Sequence, residues 1–252
     1  SIDSNVATAW SSRGVALFCL ERDAEAVDSC DKALAIDPNL AFAWNVRGVA
    51  LAALKRYQEA VDSYDRALSI DSNVATAWSS RGVALFSMKR YLEVLESLDK
   101  AIAIDSSDTA AWNNRGAALF CLDRYDEAAN SFDKALSINP NDATTWWNRG
   151  KVLFALGRYQ DAVDSYDKAL VIDPKLGAAW DSRGTALAIQ KRYLEALESL
   201  DKAIAIMPTN PNVAFSWFSR GFVLFELGHH QEAVNSFDKA LAIDPNNATA
   251  WY

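Results

Sequence analysis

The chain has 252 residues, half of them apolar, with 9 Trp, 8 Tyr and 11 Phe. Its 25 Lys and Arg are outnumbered by 33 Asp and Glu, a net charge of −8, which excludes nucleic acid and anionic membrane surfaces as partners because both need clustered cations. The longest apolar runs cannot span a bilayer, no signal peptide is visible, and 3 cysteines at no metal spacing point to a reducing, cytoplasmic setting with no metal and no cofactor.

A tryptophan stands at Trp10 and returns every 34 residues at Trp44, Trp78, Trp112, Trp146 and Trp180, then at Trp217 and Trp251. Four residues after the first seven comes a glycine: Gly14, Gly48, Gly82, Gly116, Gly150, Gly184 and Gly221. A fixed period of this length marks one supersecondary unit stacked on copies of itself. Residues 1–6 read as the tail of a preceding unit. Full units follow at 7–40, 41–74, 75–108, 109–142, 143–176, 177–213 and 214–247, and 248–252 open an eighth. The sixth is three residues longer, through an insertion around Pro208-Thr209-Asn210-Pro211.

Within each unit apolar residues recur every three to four positions in two stretches, which predicts two helices. In the second unit they are 42–51 and 57–68, separated by Lys55-Arg56. Asp37-Pro38-Asn39 and its relatives at 139–141 and 244–246 stop the second helix. Ser72 and Ser106 replace the proline in two units and soften those turns. Counting from the first residue of each unit, glycine at position 8 is expected to face a small residue at position 20 (Ala26, Ala60, Ala128, Ala162, Ala196, Ala233, with Val94 the exception). A bulky filler stands at position 24.

These Trp-x-x-x-Gly-x-x-Leu and Ala-x-x-x-aromatic-x-x-Ala patterns resemble the tetratricopeptide repeat over nearly the whole chain. The resemblance implies an all-α fold, a right-handed superhelical solenoid of stacked antiparallel helix pairs. It further implies a non-catalytic scaffold that holds a protein or peptide in a concave groove. A regulatory segment of a larger enzyme, its catalytic domain elsewhere, is the alternative. No catalytic motif such as G-x-S-x-G or H-E-x-x-H occurs.

Two departures from the family pattern stand out. Position 7 is always Arg (Arg13, Arg47, Arg81, Arg115, Arg149, Arg183, Arg220), and position 25 is always Asp (Asp31, Asp65, Asp99, Asp133, Asp167, Asp201, Asp238). A fixed cation and a fixed anion predict a pair between helices, Arg115 with Asp133 of its own unit or Asp99 of the one before. A basic ladder facing a ligand is the competing reading.

Positions 2, 5, 9 and 12 of each first helix share one face, which the resemblance assigns to the groove. Candidate binding residues on it or beside it are Asn45, Asn113, Asn114, Trp147, Asn148, Lys151 and Phe154. In the seventh unit all four stripe positions are phenylalanine: Phe215, Phe218, Phe222 and Phe225. The cationic clamp that some relatives use for a terminal carboxylate is not reproduced, since only scattered asparagines and Lys151 match it. The phenylalanines have two open readings, packing against a neighbouring element or an apolar groove for a helix. His229-His230 has no third ligand nearby. No polar capping helix closes either end, so end-to-end self-association is expected, with Trp251 as a sticky terminus.

Overall fold

A computed structural model describes residues 2–211 and 213–245. Among them are fourteen helices and no strand. They fall into two compact units, Ser1–Arg124 and Tyr125–Tyr252. The first contains α1 (Ile2–Cys19), α2 (Asp23–Ile36), α3 (Ala41–Ala53), α4 (Tyr57–Ile70), α5 (Ala75–Ser87), α6 (Tyr91–Ile104) and α7 (Thr109–Cys121). The second contains α8 (Tyr125–Ile138), α9 (Ala143–Ala155), α10 (Tyr159–Ile172), α11 (Gly177–Ile189), α12 (Tyr193–Ile206), α13 (Val213–Glu226) and α14 (His230–Ile243). The start of an eighth unit at 248–252, with Trp251, lies outside the described residues.

Short turns of two kinds connect the helices. After each first helix the chain passes through a left-handed residue: Glu21, Lys55, Lys89, Asp123 and Lys191 at φ between 57° and 60°, and Gly157 and Gly228 at 73° and 81°. The following amide closes the turn on a carbonyl five residues back, as from Arg56 to Leu51 and from Arg192 to Leu187. After the second helices of the first five units the carboxylate or amide at position 31 accepts the backbone N–H two residues on. This occurs at Asp37, Asp71, Asp105, Asn139 and Asp173, at 2.9 to 3.1 Å. That Asx turn gives the recurring Asp-Pro-Asn its physical role. Met207 occupies the position in the sixth unit and cannot accept, and there the three-residue insertion begins. Its side chain instead covers Gly177, where an added Cβ would lie 2.5 Å from Met207 Cγ.

The tryptophan secures the turn before it. Its indole N–H donates to the carbonyl six residues back, at Pro38, Ser72, Ser106, Pro140 and Pro174, always at 2.9 to 3.0 Å. Serine therefore serves as well as proline at this site, because only the carbonyl is used. The indole face carries cations from its own unit: Arg183 at 5.9 Å and Lys202 at 4.3 Å over Trp180, with the same arrangement on Trp78 and Trp146.

The glycine at position 8 packs directly on the position 24 filler, whereas the small residue at position 20 was expected to face it. A Cβ on Gly48 would come 2.6 Å from Tyr64 Cε1, and one on Gly221 2.7 Å from Phe237 Cε1. Position 20 contributes backbone instead: the Ala196 carbonyl would lie 3.2 Å from a Cβ on Gly184. The fillers run Cys30, Tyr64, Leu98, Phe132, Tyr166, Leu200, Phe237, so tyrosine and leucine recur at every third unit. Tyr64 is fully buried, and burial pushes its hydroxyl up to about 12 despite a hydrogen bond with Ser80.

Arg and Asp do pair between helices, and the partner is always the Asp of the preceding unit. Arg47 Nε donates to Asp31, Arg81 to Asp65, Arg115 to Asp99, Arg149 to Asp133, Arg183 to Asp167 and Arg220 to Asp201, at 2.5 to 2.7 Å. A second guanidinium N–H donates within the unit to a serine at position 23, as from Arg47 to Ser63 at 2.8 Å and from Arg183 to Ser199 at 2.6 Å. That serine in turn donates to the carbonyl four residues back. One arginine thus ties its own second helix to the second helix before it. The arginines are 13–23% exposed but the aspartates 48–56%, so each pair stabilises by about 1 kcal/mol or less.

The segment 2–6, read as the tail of a preceding unit, is helical and continuous with α1.

Candidate functional site

The candidate residues separate into three groups. Asn45 on α3 and Asn113 and Asn114 on α7 are half-buried in the first compact unit. Asn45 Oδ1 is buried without a hydrogen-bond partner.

On α9, in the second unit, Trp147, Asn148, Lys151 and Phe154 are all half-buried. The Trp147 indole donates to Ser182 Oγ on α11 at 3.1 Å, and the Lys151 ammonium sits 4.7 Å from its ring centroid. Phe154 meets Tyr159 edge-on at 5.3 Å between centroids. This cluster is held internally, its aromatic surface divided between neighbours and solvent.

On α13, Phe215, Phe222 and Phe225 are 40%, 45% and 55% exposed, whereas Phe218 is half-buried and 5.6 Å from the Phe237 ring. Phe215, Phe218 and Phe222 share one cleft of about 750 Å³ between α11 and α13. Thr185, Ala188, Ile189, Lys191, Tyr193 and Glu226 also line it, and the Tyr193 hydroxyl donates to Glu226 at 3.0 Å. Phe225 is outside the cleft, 5.2 Å from the His230 ring. The phenylalanines of the seventh unit are therefore a partly open wall in which Phe218 alone is committed to packing.

Helix α11 also carries the lone carboxylate of the stripe. Asp181 accepts from Ser216 Oγ of α13, and Thr185 donates to the Asp181 backbone carbonyl at 3.0 Å. Burial raises its carboxyl to about 6, partly offset by the Ser216 hydrogen bond. Tyr166 on α10 is the ionisable group that feels this charge, and burial holds its hydroxyl well above the usual range.

Sequence reasoning missed Ser63, Ser97, Ser199 and their counterparts at position 23, though their recurrence was visible. It placed Ala188 on the stripe without singling it out, and it missed Tyr193. The signal for these lay in comparing units with each other. The second helices α6 and α12 differ only at Val94 and Ala196, yet the stripe before them changes at every position: Thr76, Ser79, Val83, Phe86 against Ala178, Asp181, Thr185, Ala188.

Stacked antiparallel helix pairs with a tryptophan–glycine first helix and an alanine-rich second define a helix-repeat class. Tetratricopeptide-repeat family models match residues 7–40, 41–74, 95–143 with 113–176, and 175–246. The chain belongs to the tetratricopeptide-repeat family. A comparison with curated proteins finds no match.

Solved structures share the fold. The C-terminal part of a TPR repeat-containing protein from Cytophaga hutchinsonii aligns with a TM-score of 0.76 at 18% identity, covering 95% of this chain and 97% of that one. A tetratricopeptide repeat protein from Parabacteroides merdae aligns with a TM-score of 0.72 at 16% identity, covering 98% and 96%. YrrB, described as a TPR protein with an unusual peptide-binding site, aligns with a TM-score of 0.62 at 23% identity, covering 75% and 96%. The fold is thus the all-α helix-pair solenoid of these proteins. Among the described residues no helix is long and apolar enough to cross a membrane.

Proposed function

We propose that the chain is a protein-interaction scaffold that holds a peptide or helix against the first-helix face of its second compact unit, acting by binding rather than by catalysis. The observation that carries this is the contrast between near-copies. Units whose second helices are almost identical differ at all four stripe positions, and a change at a partly exposed position alters what the surface recognises at little cost to folding. The partly open phenylalanine wall fits such a role, because aromatic side chains dominate binding energy at interfaces. A peptide-binding site described for the similarly folded YrrB supports the same direction. The free thiols, exposed Cys19 and Cys121 and buried Cys30, fit a reducing compartment such as the cytoplasm.

Selection of displayed random peptides on the full chain tests the reading. Enriched peptides should lose binding to a Phe215→Ser/Phe222→Ser variant whose unfolding midpoint stays within roughly 5 °C of the parent. Absence of enrichment, or binding indifferent to both substitutions, removes this face as the site.

A further inference from the structure

The cleft between α11 and α13 has an internal template for its occupant, and the argument rests on the first-helix face being the binding surface. In the third and fifth units position 12 is a phenylalanine that meets the tyrosine of the next helix edge-on. Phe86 lies 5.4 Å from Tyr91, and Phe154 5.3 Å from Tyr159. The sixth unit keeps the tyrosine, Tyr193, but has Ala188 in place of the ring. Space equivalent to that side chain opens onto the cleft, whose far wall is Phe215, Phe218 and Phe222. The second unit also has an alanine there, Ala52 before Tyr57, but α5 offers it Thr76, Ser79 and Val83 rather than three phenylalanines.

The cleft carries one cation, Lys191, and one anion, Glu226. Glu226 is engaged by the Tyr193 hydroxyl, while the Lys191 ammonium has no carboxylate partner among the described residues. A ligand seated here meets an aromatic box flanked by a cation without an ion-pair partner and by a carboxylate that already accepts the Tyr193 hydroxyl.

We propose that this cleft receives an aromatic side chain of a protein partner, seated edge-on against Tyr193 where other units supply their own phenylalanine, with an adjacent carboxylate of the partner pairing with Lys191. Aromatic pairs prefer such tilted and edge-on geometry, and a side chain with few rotors loses little freedom on binding.

The test uses the full chain and fluorescence anisotropy of labelled peptides of about twelve residues, a Gly/Ser background carrying a central Phe-Asp, Ala-Asp or Phe-Lys. The Phe-Asp peptide should bind roughly tenfold or more tighter than Ala-Asp. Ala188→Phe, which restores the ring found at Phe86 and Phe154, should abolish that preference. Lys191→Glu should shift the preference between Phe-Asp and Phe-Lys by roughly threefold or more. Its backbone demand is met, because Glu21 holds the same conformation at φ 58° where Lys191 has 60°.

Equal affinity for the Phe and Ala peptides, a preference that survives Ala188→Phe, or no binding of Phe-Asp at millimolar concentration each overturns the aromatic anchor. If displayed peptides still enrich on the parent and are lost on Phe215→Ser/Phe222→Ser, the anchor alone has failed. If none enrich, the binding face itself has failed.

Discussion

The third and sixth units differ at one residue in fourteen along their second helices, and at every stripe position of their first. Both place an arginine on the aspartate of the unit before (Arg81 on Asp65, Arg183 on Asp167) and both rest a glycine on a leucine. On the first helices what separates them centres on one face: Phe86 closes on Tyr91, whereas Ala188 leaves a cleft beside Tyr193. Two chemical roles are thus assigned to different residues of one unit. Positions 7, 8, 23, 24 and 25 hold units together, and positions 2, 5, 9 and 12 vary without disturbing them.

The largest effect that would sharpen this comparison comes from the glycines. A Cβ on Gly184 would lie 2.7 Å from Leu200 Cγ and 3.2 Å from the Ala196 carbonyl, atoms near or on the backbone. On Gly82 the nearest atoms are Leu98 Cδ2 at 2.9 Å and Cγ at 3.0 Å, with no backbone atom as close as the Ala196 carbonyl. Gly184→Ala should cost about 2–3 kcal/mol and Gly82→Ala about 1 kcal/mol, read from urea unfolding. Equal losses would show that Val94 and Ala196, the one difference between α6 and α12, have no bearing on how tightly the helices meet.

Next come the arginines. Arg81→Leu and Arg183→Leu each remove a pair with a half-exposed aspartate and strand a buried serine, Ser97 or Ser199, that still donates to its own helix. Each should cost about 1 kcal/mol, and by the same amount in both units. A loss confined to one unit would break the claim that this interlock is generic.

Asp181 gives a smaller, pH-dependent difference with no counterpart at Ser79. Its folded carboxyl titrates at about 6, above the ordinary value near 3.8. Between those values the folded chain binds the extra proton, so this group's contribution to stability is greatest at low pH and falls as pH rises through 6. Asp181→Asn should therefore stabilise more at pH 7 than at pH 4, the gap opening as pH rises from about 4 to about 6. Thermal unfolding at the two pH values checks it. A variant equally stabilised at both would mean that Asp181 ionises normally. Smallest are the left-handed residues: Lys89→Gly and Lys191→Gly should each be stabilising by about 0.5 kcal/mol, as the strain of a side chain at positive φ is relieved against a more flexible unfolded chain.

Helix pairs, their number and the fixed Arg and Asp were legible because a 34-residue period repeats each signal many times. That same period hid which aspartate an arginine takes. Asp99 and Asp133 are chemically identical candidates for Arg115, and only stacking brings Asp99 to it. Local sequence was insufficient at the amino end as well. Residues 3–18 are identical to 71–86, yet the first copy is helical from Ile2, while in the second Asp71 caps α4 and the helix restarts at Ala75. There the preceding α4 imposes the turn on Asp71, whose amide bonds to the Ala67 carbonyl. The aromatic stripe of α13 was legible as residues but not as a cleft. Its opening depends on Ala188, which alone looks like any other small side chain.

The arginine interlock makes the units exchangeable. The junctions at Arg47, Arg81, Arg149, Arg183 and Arg220 read the same three side chains, an arginine entering, a serine beside it and an aspartate behind. Even with the three-residue insertion between them, Arg220 still finds Asp201, now 19 residues away instead of 16. Any unit can in this respect follow any other. Excision of residues 75–108 would bring Asp65 to Arg115 and leave a chemically unchanged seam. An array with interchangeable joints can lengthen, shorten or reorder its faces by recombining whole units, acquiring new surfaces without evolving new joints.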